Sequence, residues 1–245
     1  MNAMIFAAGI GKRLQPISEH TPKALVKLGN KTMLEMVAEK LARLGVKKIV
    51  VNIHHHPEKM RRFISELNYP GVELVISDES DSLLETGGGL LKAKPYFLAN
   101  EPVIIHNVDV LSNIDLAAML DFHLRNNAMA TLAVSRRKTS RYFLFDEGRL
   151  AGWENTKTGQ IIICKPQPGQ KLISRAFSGI HIINGGLLNL ITETGAFSIN
   201  DVYLRLANEH SILGFEHDAS YWADIGTPEK LETARLLYEK NRTIF

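Results

Sequence analysis

Between the apolar run Met4-Ile5-Phe6-Ala7-Ala8 and a Thr21-Pro22-Lys23 segment, the chain carries Gly9-Ile10-Gly11-Lys12-Arg13-Leu14-Gln15-Pro16. Glycines that follow a first strand let backbone N–H groups approach a phosphate closely. Arg13 and Lys23 can add the charge that a triphosphate needs. Two common glycine loops are excluded. A P-loop needs glycine where Phe6 stands and Ser or Thr where Arg13 stands. A dinucleotide-binding turn needs a third glycine where Leu14 stands, and Pro16 interrupts the helix that should follow. A tight turn with a solvated basic tail is the plain alternative, but the concentration of Gly, Arg, Pro and Lys favours a phosphate-binding loop.

Two aspartates suit a hard cation. Asp109 follows the apolar run Val103 to His106, in His106-Asn107-Val108-Asp109. Asp224 lies in Trp222-Ala223-Asp224-Ile225-Gly226-Thr227, between a strand signal and a helix signal. Mg2+ typically takes one or two carboxylates and completes its shell with phosphate and water. Either residue alone is as readily a strand-end turn. Leu84-Glu85-Thr86-Gly87-Gly88-Gly89 precedes a helical pattern. Glycines at a helix start leave free N–H groups and allow close approach; tight packing at a strand–helix corner would use them equally well. Cys164 is the only cysteine, so an intrachain disulfide and a thiolate-rich metal site are excluded, and it reads as a small core or strand residue. His54-His55-His56 alternate sides on an extended segment and read as a solvated loop.

These residues need a scaffold, and the first two-thirds of the chain alternates strand and helix signals. Strands are predicted at Met4 to Ala8, Lys48 to Ile53, Val72 to Ser77, Val103 to His106 and Ala130 to Val134. Helices are predicted at Thr32 to Leu44, where Thr32 and Glu35 fit a capping box, and at Pro57 to Leu67, Gly88 to Phe97 and Asp115 to Arg125. Such alternation implies an α/β fold: a Rossmann-like, mostly parallel sheet flanked by helices, with ligands beyond the carboxyl ends of its strands. After Arg136, four short strands (Tyr142 to Phe145, Leu150 to Glu154, Gln160 to Cys164, Ala176 to Ile183) read as a smaller mixed or antiparallel region added to that sheet. A helix near Asn200 to Ala207, strands at Ile212 to Glu216 and Tyr221 to Asp224, and a helix from Thr227-Pro228-Glu229 complete the pattern.

Of 245 residues, 45% are hydrophobic and 22% charged, enough for a sizeable core. The net charge of +3 comes from scattered short pairs such as Arg61-Arg62, so no nucleic-acid partner is expected. The N-terminal apolar run is too short to span a membrane and has no basic stretch before it, so the expected compartment is the cytoplasm, with no membrane partner.

Gly-x-Gly-x-Arg-Leu-x-Pro followed by Pro-Lys resembles the signature of the sugar-nucleotide pyrophosphorylases, the sugar-1-phosphate nucleotidyltransferases of class 2.7.7. The resemblance runs from Met4 to about Tyr238. Glu-Thr-Gly-Gly-Gly looks most like the short bacterial members that act on N-acetylmuramic acid 1-phosphate (uridylyltransferases) or mannose 1-phosphate (guanylyltransferases). It implies one domain over 1–245, with a nucleotide-binding core over 1–135 and the sugar side over 136–245. It also implies that Ala7, Ala8, Gly9, Gly11, Arg13, Lys23, Glu85, Gly87 and Gly88 meet the nucleotide. Arg13, Lys23 and Asp109 would be the catalytic residues, and Asp109 and Asp224 would hold Mg2+. Asn107, Glu154, Lys165 and Gly179 would face the sugar, the last within Ala176-Phe177-Ser178-Gly179-Ile180. The chain departs from the family at Val108, where glycine is usual, and at Cys164, where an acid usually precedes Lys165-Pro166.

The implied reaction is Mg2+-assisted in-line attack of a sugar-1-phosphate on the α-phosphorus of UTP or GTP, giving a nucleoside diphosphate sugar and pyrophosphate. Triphosphate and sugar-1-phosphate are the expected partners, and a monomer or small homo-oligomer is expected. The two departures favour an alternative, a non-catalytic sensor of nucleotide or nucleoside diphosphate sugar on the same scaffold. A Rossmann-type dehydrogenase is disfavoured by Leu14 and Pro16.

Overall fold

The computed structural model describes residues 1–164, 169 and 171–240. In the first half, β1 (Asn2–Phe6) leads through the glycine loop to a short helix α1 (Ile17–His20) and a ribbon of β2 (Lys27–Leu28) and β3 (Lys31–Thr32). Then follow α2 (Met33–Arg43), β4 (Lys48–Ile53), α3 (Pro57–Glu66), β5 (Glu73–Asp78), α4 (Glu85–Lys92), β6 (Pro102–Asn107), β7 (Val110–Ser112), α5 (Leu116–Arg125) and β8 (Ala130–Ser135). The second half adds β9 (Arg141–Asp146), β10 (Arg149–Asn155), β11 (Gln160–Ile163), β12 (Ile173–Asn184), α6 (Ile199–Leu206), β13 (Ile212–Glu216), β14 (Trp222–Asp224) and α7 (Pro228–Lys240).

Local chemistry explains several of these boundaries. The Thr32 hydroxyl accepts from the Glu35 amide at 3.1 Å, while the Glu35 carboxylate accepts from the Thr32 amide at 2.7 Å. This capping box satisfies two donors that a helix start would otherwise leave open. Asp115 caps α5 with a single bond, its side chain accepting from the Ala118 amide at 2.9 Å. Gly45, with φ of +86°, ends the α2 segment in the left-handed conformation that glycine adopts without penalty.

Ten strands form one sheet in the order β11-β10-β13-β8-β12-β6-β1-β4-β5, with β9 lying against β10 and β12, while β7 and β14 pair separately. Strands β5, β4, β1 and β6 are parallel. Helices cover both faces, and alternate residues of β1 serve each. Ala3 and Ile5 pack with Leu34, Val37 and Leu41 of α2; Met4 packs with Leu90 of α4 and Tyr203 of α6. Each large apolar side chain fully buried in this way contributes about 1.5–3 kcal/mol.

The second half departs from the expected arrangement in one respect. Strand β12, expected in an added region, lies in the middle of the sheet and runs antiparallel to both β6 and β8. Its residues Ile180 to Ile183 are fully buried. An apolar run carries no information about strand direction, which is why the sequence pattern could not give it. No helix among the described residues is long and apolar enough to cross a membrane.

Candidate active site

The carboxyl ends of β1, β4 and β6 open into a cleft of about 400 Å³. Its walls include Ala7, Ala8, Gly9, Lys23, Glu85, Thr86, Asn107 and Asp109. Ala7 and Ala8 lie just beyond β1, not within it. Their amides point at the side-chain carbonyl of Asn52, at 2.7 and 3.3 Å. Asn52 in turn donates to the Glu79 carboxylate at 2.7 Å, and Glu79 also accepts from the Leu84 amide at 3.2 Å. Both polar residues are buried, so this chain of bonds fixes the loop against β4 and the start of α4. Sequence reasoning missed Asn52 and Glu79. The signal was a single amide in the run Ile49-Val50-Val51-Asn52-Ile53, at a strand end.

Gly11 has φ of +71°, and its carbonyl accepts from the Ser18 hydroxyl and the Leu14 amide, both at 2.8 Å. It shapes the loop from behind the cleft wall. Glu85 is also in the left-handed region, with φ of +57°, and lines the cleft. A side chain held there stores strain of order 1–3 kcal/mol, a common feature of ligand-binding positions.

The backbone at Asp109 and that at Asp224 come together through a strand pairing that the sequence does not reveal. Strand β14 pairs antiparallel with β7, aligning Asp224 with Val110, and the Ile225 amide donates to the Asp109 carbonyl at 2.7 Å. Asp109 forms an ion pair with Lys23, and Asp224 is paired with Lys230 at 2.5 Å. A Cβ added to Gly226 would lie 2.9 Å from an Asp224 carboxylate oxygen and 3.0 Å from an Arg13 guanidinium nitrogen, so Arg13 and Asp224 face one another across that glycine. Val108 does not distort the backbone. It is absent from the positive-φ residues, it is buried in the core, and its amide donates to the Phe6 carbonyl at 3.1 Å.

Behind the cleft, Lys40 of α2 donates to the Ser112 carbonyl at 2.8 Å and so ties down β7. Burial lowers its pKa to about 8, against the opposing pull of Asp115. His106 is fully buried; burial, with Lys40 adding to it, lowers its pKa to about 3, so it is neutral at physiological pH.

A profile of the nucleotidyl transferase family matches residues 2–241. The chain belongs to that family. It is 30% identical over 241 residues to a mannose-1-phosphate guanyltransferase of Yarrowia lipolytica, a match covering 97% of this chain and 64% of that protein. It is 29% identical over 244 residues to a mannose-1-phosphate guanyltransferase of Schizosaccharomyces pombe, with the same two coverages. The chain therefore spans just under two thirds of the length of these relatives. The fold matches an inositol-1-phosphate CTP transferase from T. maritima with a TM-score of 0.76 at 17% identity, over 100% of this chain and 97% of that one.

Within this nucleotidyltransferase fold, several expected site residues stand elsewhere. Gly87 and Gly88 are buried inside α4, which begins at Glu85, earlier than expected. A side chain at Gly87 would strike Phe197, and one at Gly88 the Gly195 carbonyl, while the Gly87 amide already donates to the Phe197 carbonyl at 2.8 Å. These glycines serve close packing of α4 on the 195–197 turn, and neither lines the cleft. Glu154 accepts from the Ser174 hydroxyl at 2.6 Å, whereas its neighbour Trp153 lines a second cavity; strand alternation sends the two to opposite faces. Lys165 lies outside the described residues. Gly179, with φ of +73°, sits against Asn107, whose side-chain nitrogen is 2.6 Å from where a Cβ would be. Asn107 lines the cleft and Gly179 supports it from behind. The second cavity, of about 450 Å³, contains Tyr142, Phe143, Trp153, Phe177 and Arg137, and shares Ser198 with the first. His54 and His56 bond the Glu79 and Glu19 carbonyls, at 2.6 and 3.1 Å.

Enzymes of this family generally work with a divalent metal. The donor set here is two carboxylates whose Oδ2 atoms are held by lysines, with no group of three metal-binding side chains among the described residues. That set fits Mg2+, which relies on substrate phosphates for much of its shell, better than it fits zinc.

Proposed function

We propose that the protein transfers a nucleotidyl group from a nucleoside triphosphate to a sugar-1-phosphate, releasing pyrophosphate. The observation that supports this reading is the β7–β14 pairing, which aligns Asp224 with Val110, the residue after cleft-lining Asp109. The cleft volume is in the range of small-ligand sites. GTP with mannose 1-phosphate is the first pair to test, because relatives bear that name. UTP with N-acetylmuramate 1-phosphate is the second, from the Glu85-Thr86-Gly87-Gly88-Gly89 likeness.

The triphosphate lies along the loop, with base and ribose toward Glu85 and Thr86 and the phosphates toward Arg13 and Lys23. The attacking group is a phosphate oxygen, already anionic at neutral pH, so no general base is required. The protein's contribution is to hold two polyanions in line and to neutralise charge as pyrophosphate leaves. Lys23 and Arg13 supply that charge at the leaving group. Asp109 and Asp224 would hold Mg2+, whose chemistry is polarisation of the α-phosphoryl group. The sugar occupies the neighbouring aromatic cavity.

Incubation with Mg2+, a panel of triphosphates and a panel of sugar-1-phosphates tests the reading. Pyrophosphate release that requires both substrates supports it. Nucleotide binding without release from any pair would instead favour the sensor alternative. Asp109→Asn is expected to lower turnover by roughly two orders of magnitude or more, the scale of losing one preorganised electrostatic group. Near-normal turnover in that variant would remove Asp109 from the mechanism.

A further inference from the structure

Arg137 lacks the carboxylate contact that its neighbours make, among the described residues. Its neighbours show the contrast: Arg136 pairs with Asp218 at 3.0 Å, and Arg175 pairs with Glu216 at 2.7 Å. Arg137 has no ion pair among the described residues. Its Nη2 donates to the Phe177 carbonyl at 2.5 Å, and its guanidinium lies 4.0 Å from the centroid of the Trp222 ring. Its Nε is buried and has no acceptor among the described residues. A guanidinium offers five donors, and a buried charged donor left without an acceptor is costly enough that native structures seldom retain one without use.

The position of this group is informative. Trp222 is two residues before Asp224, and its indole N–H donates to the Ser178 carbonyl at 2.8 Å. Phe177 is two residues before Gly179, which supports Asn107. The guanidinium is thus anchored to both segments that bear the reacting centre. It also lines the aromatic cavity with Tyr142, Phe143, Trp153 and Phe177. Burial disfavours its charged form, and Asp224 is the main group opposing that effect.

We propose that Arg137 binds the phosphate of the sugar-1-phosphate, with Trp222 holding the guanidinium flat and its cavity-facing N–H edge donating to phosphate oxygens. The proposal rests on the transferase reading. A monoester whose sugar lies among the aromatic residues brings its phosphate toward Asp224, and a cation at this point offsets the repulsion between the two anions. Planar, forked donors suit a phosphate better than an ammonium does. A purely structural role, pinning Phe177 to Trp222, would use Nη2 and the ring face and leave the other guanidinium donors unused.

The test is a titration followed by kinetics. The Nε–H signal of Arg137 in 15N-arginine-labelled protein is assigned with Arg137→Lys. Mannose 1-phosphate, glucose 1-phosphate, N-acetylmuramate 1-phosphate and free mannose are then added in Mg2+ buffer. The signal is expected to move with at least one monoester and not with the free sugar. In the active substrate pair, Arg137→Met should raise KM for the sugar-1-phosphate about 10- to 100-fold while KM for the triphosphate stays within about threefold. Arg137→Lys should fall between, and added guanidinium should partly restore Arg137→Met. A structural role alone would weaken both substrates together and resist rescue. A signal indifferent to every monoester, or an unchanged sugar-1-phosphate KM in an active enzyme, overturns the proposal and leaves the transferase reading intact. Absence of turnover with every pair, while the signal still follows monoesters, removes the reaction and keeps the phosphate site.

Discussion

Asn52 accepts from Ala7 and Ala8 and donates to Glu79, so replacing it with leucine removes three buried hydrogen bonds while keeping a side chain of similar size. Two loop amides and one carboxylate oxygen then lose their partner. Each buried polar group left unsatisfied costs about 1–3 kcal/mol, partly recovered by the loop's movement toward water. Asn52→Leu is therefore expected to lower stability by about 2–3 kcal/mol in urea unfolding and to raise KM for the triphosphate more than KM for the sugar-1-phosphate. Equal effects on the two would mean that the bonds stabilise the fold without shaping the loop. At this scale part of the candidate site was legible. Lys23, Asp109 and Asp224 could be named from type and spacing, and the structure brings Lys23 onto Asp109. What could not be read was orientation. Glu154 turns away from the cavity because a strand alternates its faces, and nothing in its neighbours' identities says which face is which. Gly87 and Gly88 looked like a ligand-facing turn because close packing and ligand approach both demand glycine.

Among the elements, β7 and its anchor on α2 decide where Asp109 stands. The three residues of β7 have no periodicity to detect; the strand at β14 is readable as Tyr221 to Asp224, but its pairing with β7 emerges only from the packed molecule. Lys40 fixes β7 by donating to the Ser112 carbonyl, and this contact makes a pH-dependent contribution to stability. In the fold its pKa is lowered from 10.5 to about 8, chiefly by burial. Below pH 8 both folded and unfolded chains hold the proton, and the folded state bears the full cost of a desolvated ammonium. Between pH 8 and 10.5 the unfolded chain still holds a proton that the folded chain has released. Stability attributable to Lys40 therefore rises with pH across that window. Urea unfolding at pH 7.5 and pH 10 should show wild type gaining on Lys40→Met as pH increases. A stability difference between the two proteins that does not change with pH would show that Lys40 is solvated at both.

For the molecule as a whole, alternation of strand and helix foretold a layered α/β fold, and the four parallel strands β5-β4-β1-β6 match it. The long-range pairing of β12 was not legible, because the same apolar segment could add to either sheet edge or enter between β6 and β8, and only mutual packing selects the last. One consequence is that the cleft is assembled from segments distant in sequence: the first loop, the end of β4, the start of α4, the end of β6 and Ser198 just before α6. Lysines hold both aspartates, Lys23 on Asp109 and Lys230 on Asp224. Metal binding must compete with these pairs, and the triphosphate offers Lys23 a new anionic partner. Mg2+ alone should therefore bind weakly, and Mg2+ with triphosphate should stabilise the fold by far more than the sum of the two separately. At ligand about 100-fold above Kd the gain is about 2.7 kcal/mol, which corresponds to a rise in Tm of roughly 5–10 °C for a chain of this size. In Asp109→Asn the ligand-free Tm should change little, since a partly exposed ion pair contributes at most about 1 kcal/mol, while the metal-dependent share of the increment should vanish. If Mg2+ alone gave the full increment, the carboxylates would form a cage complete without substrate; if Asp109→Asn kept the full increment, the cation would be held elsewhere.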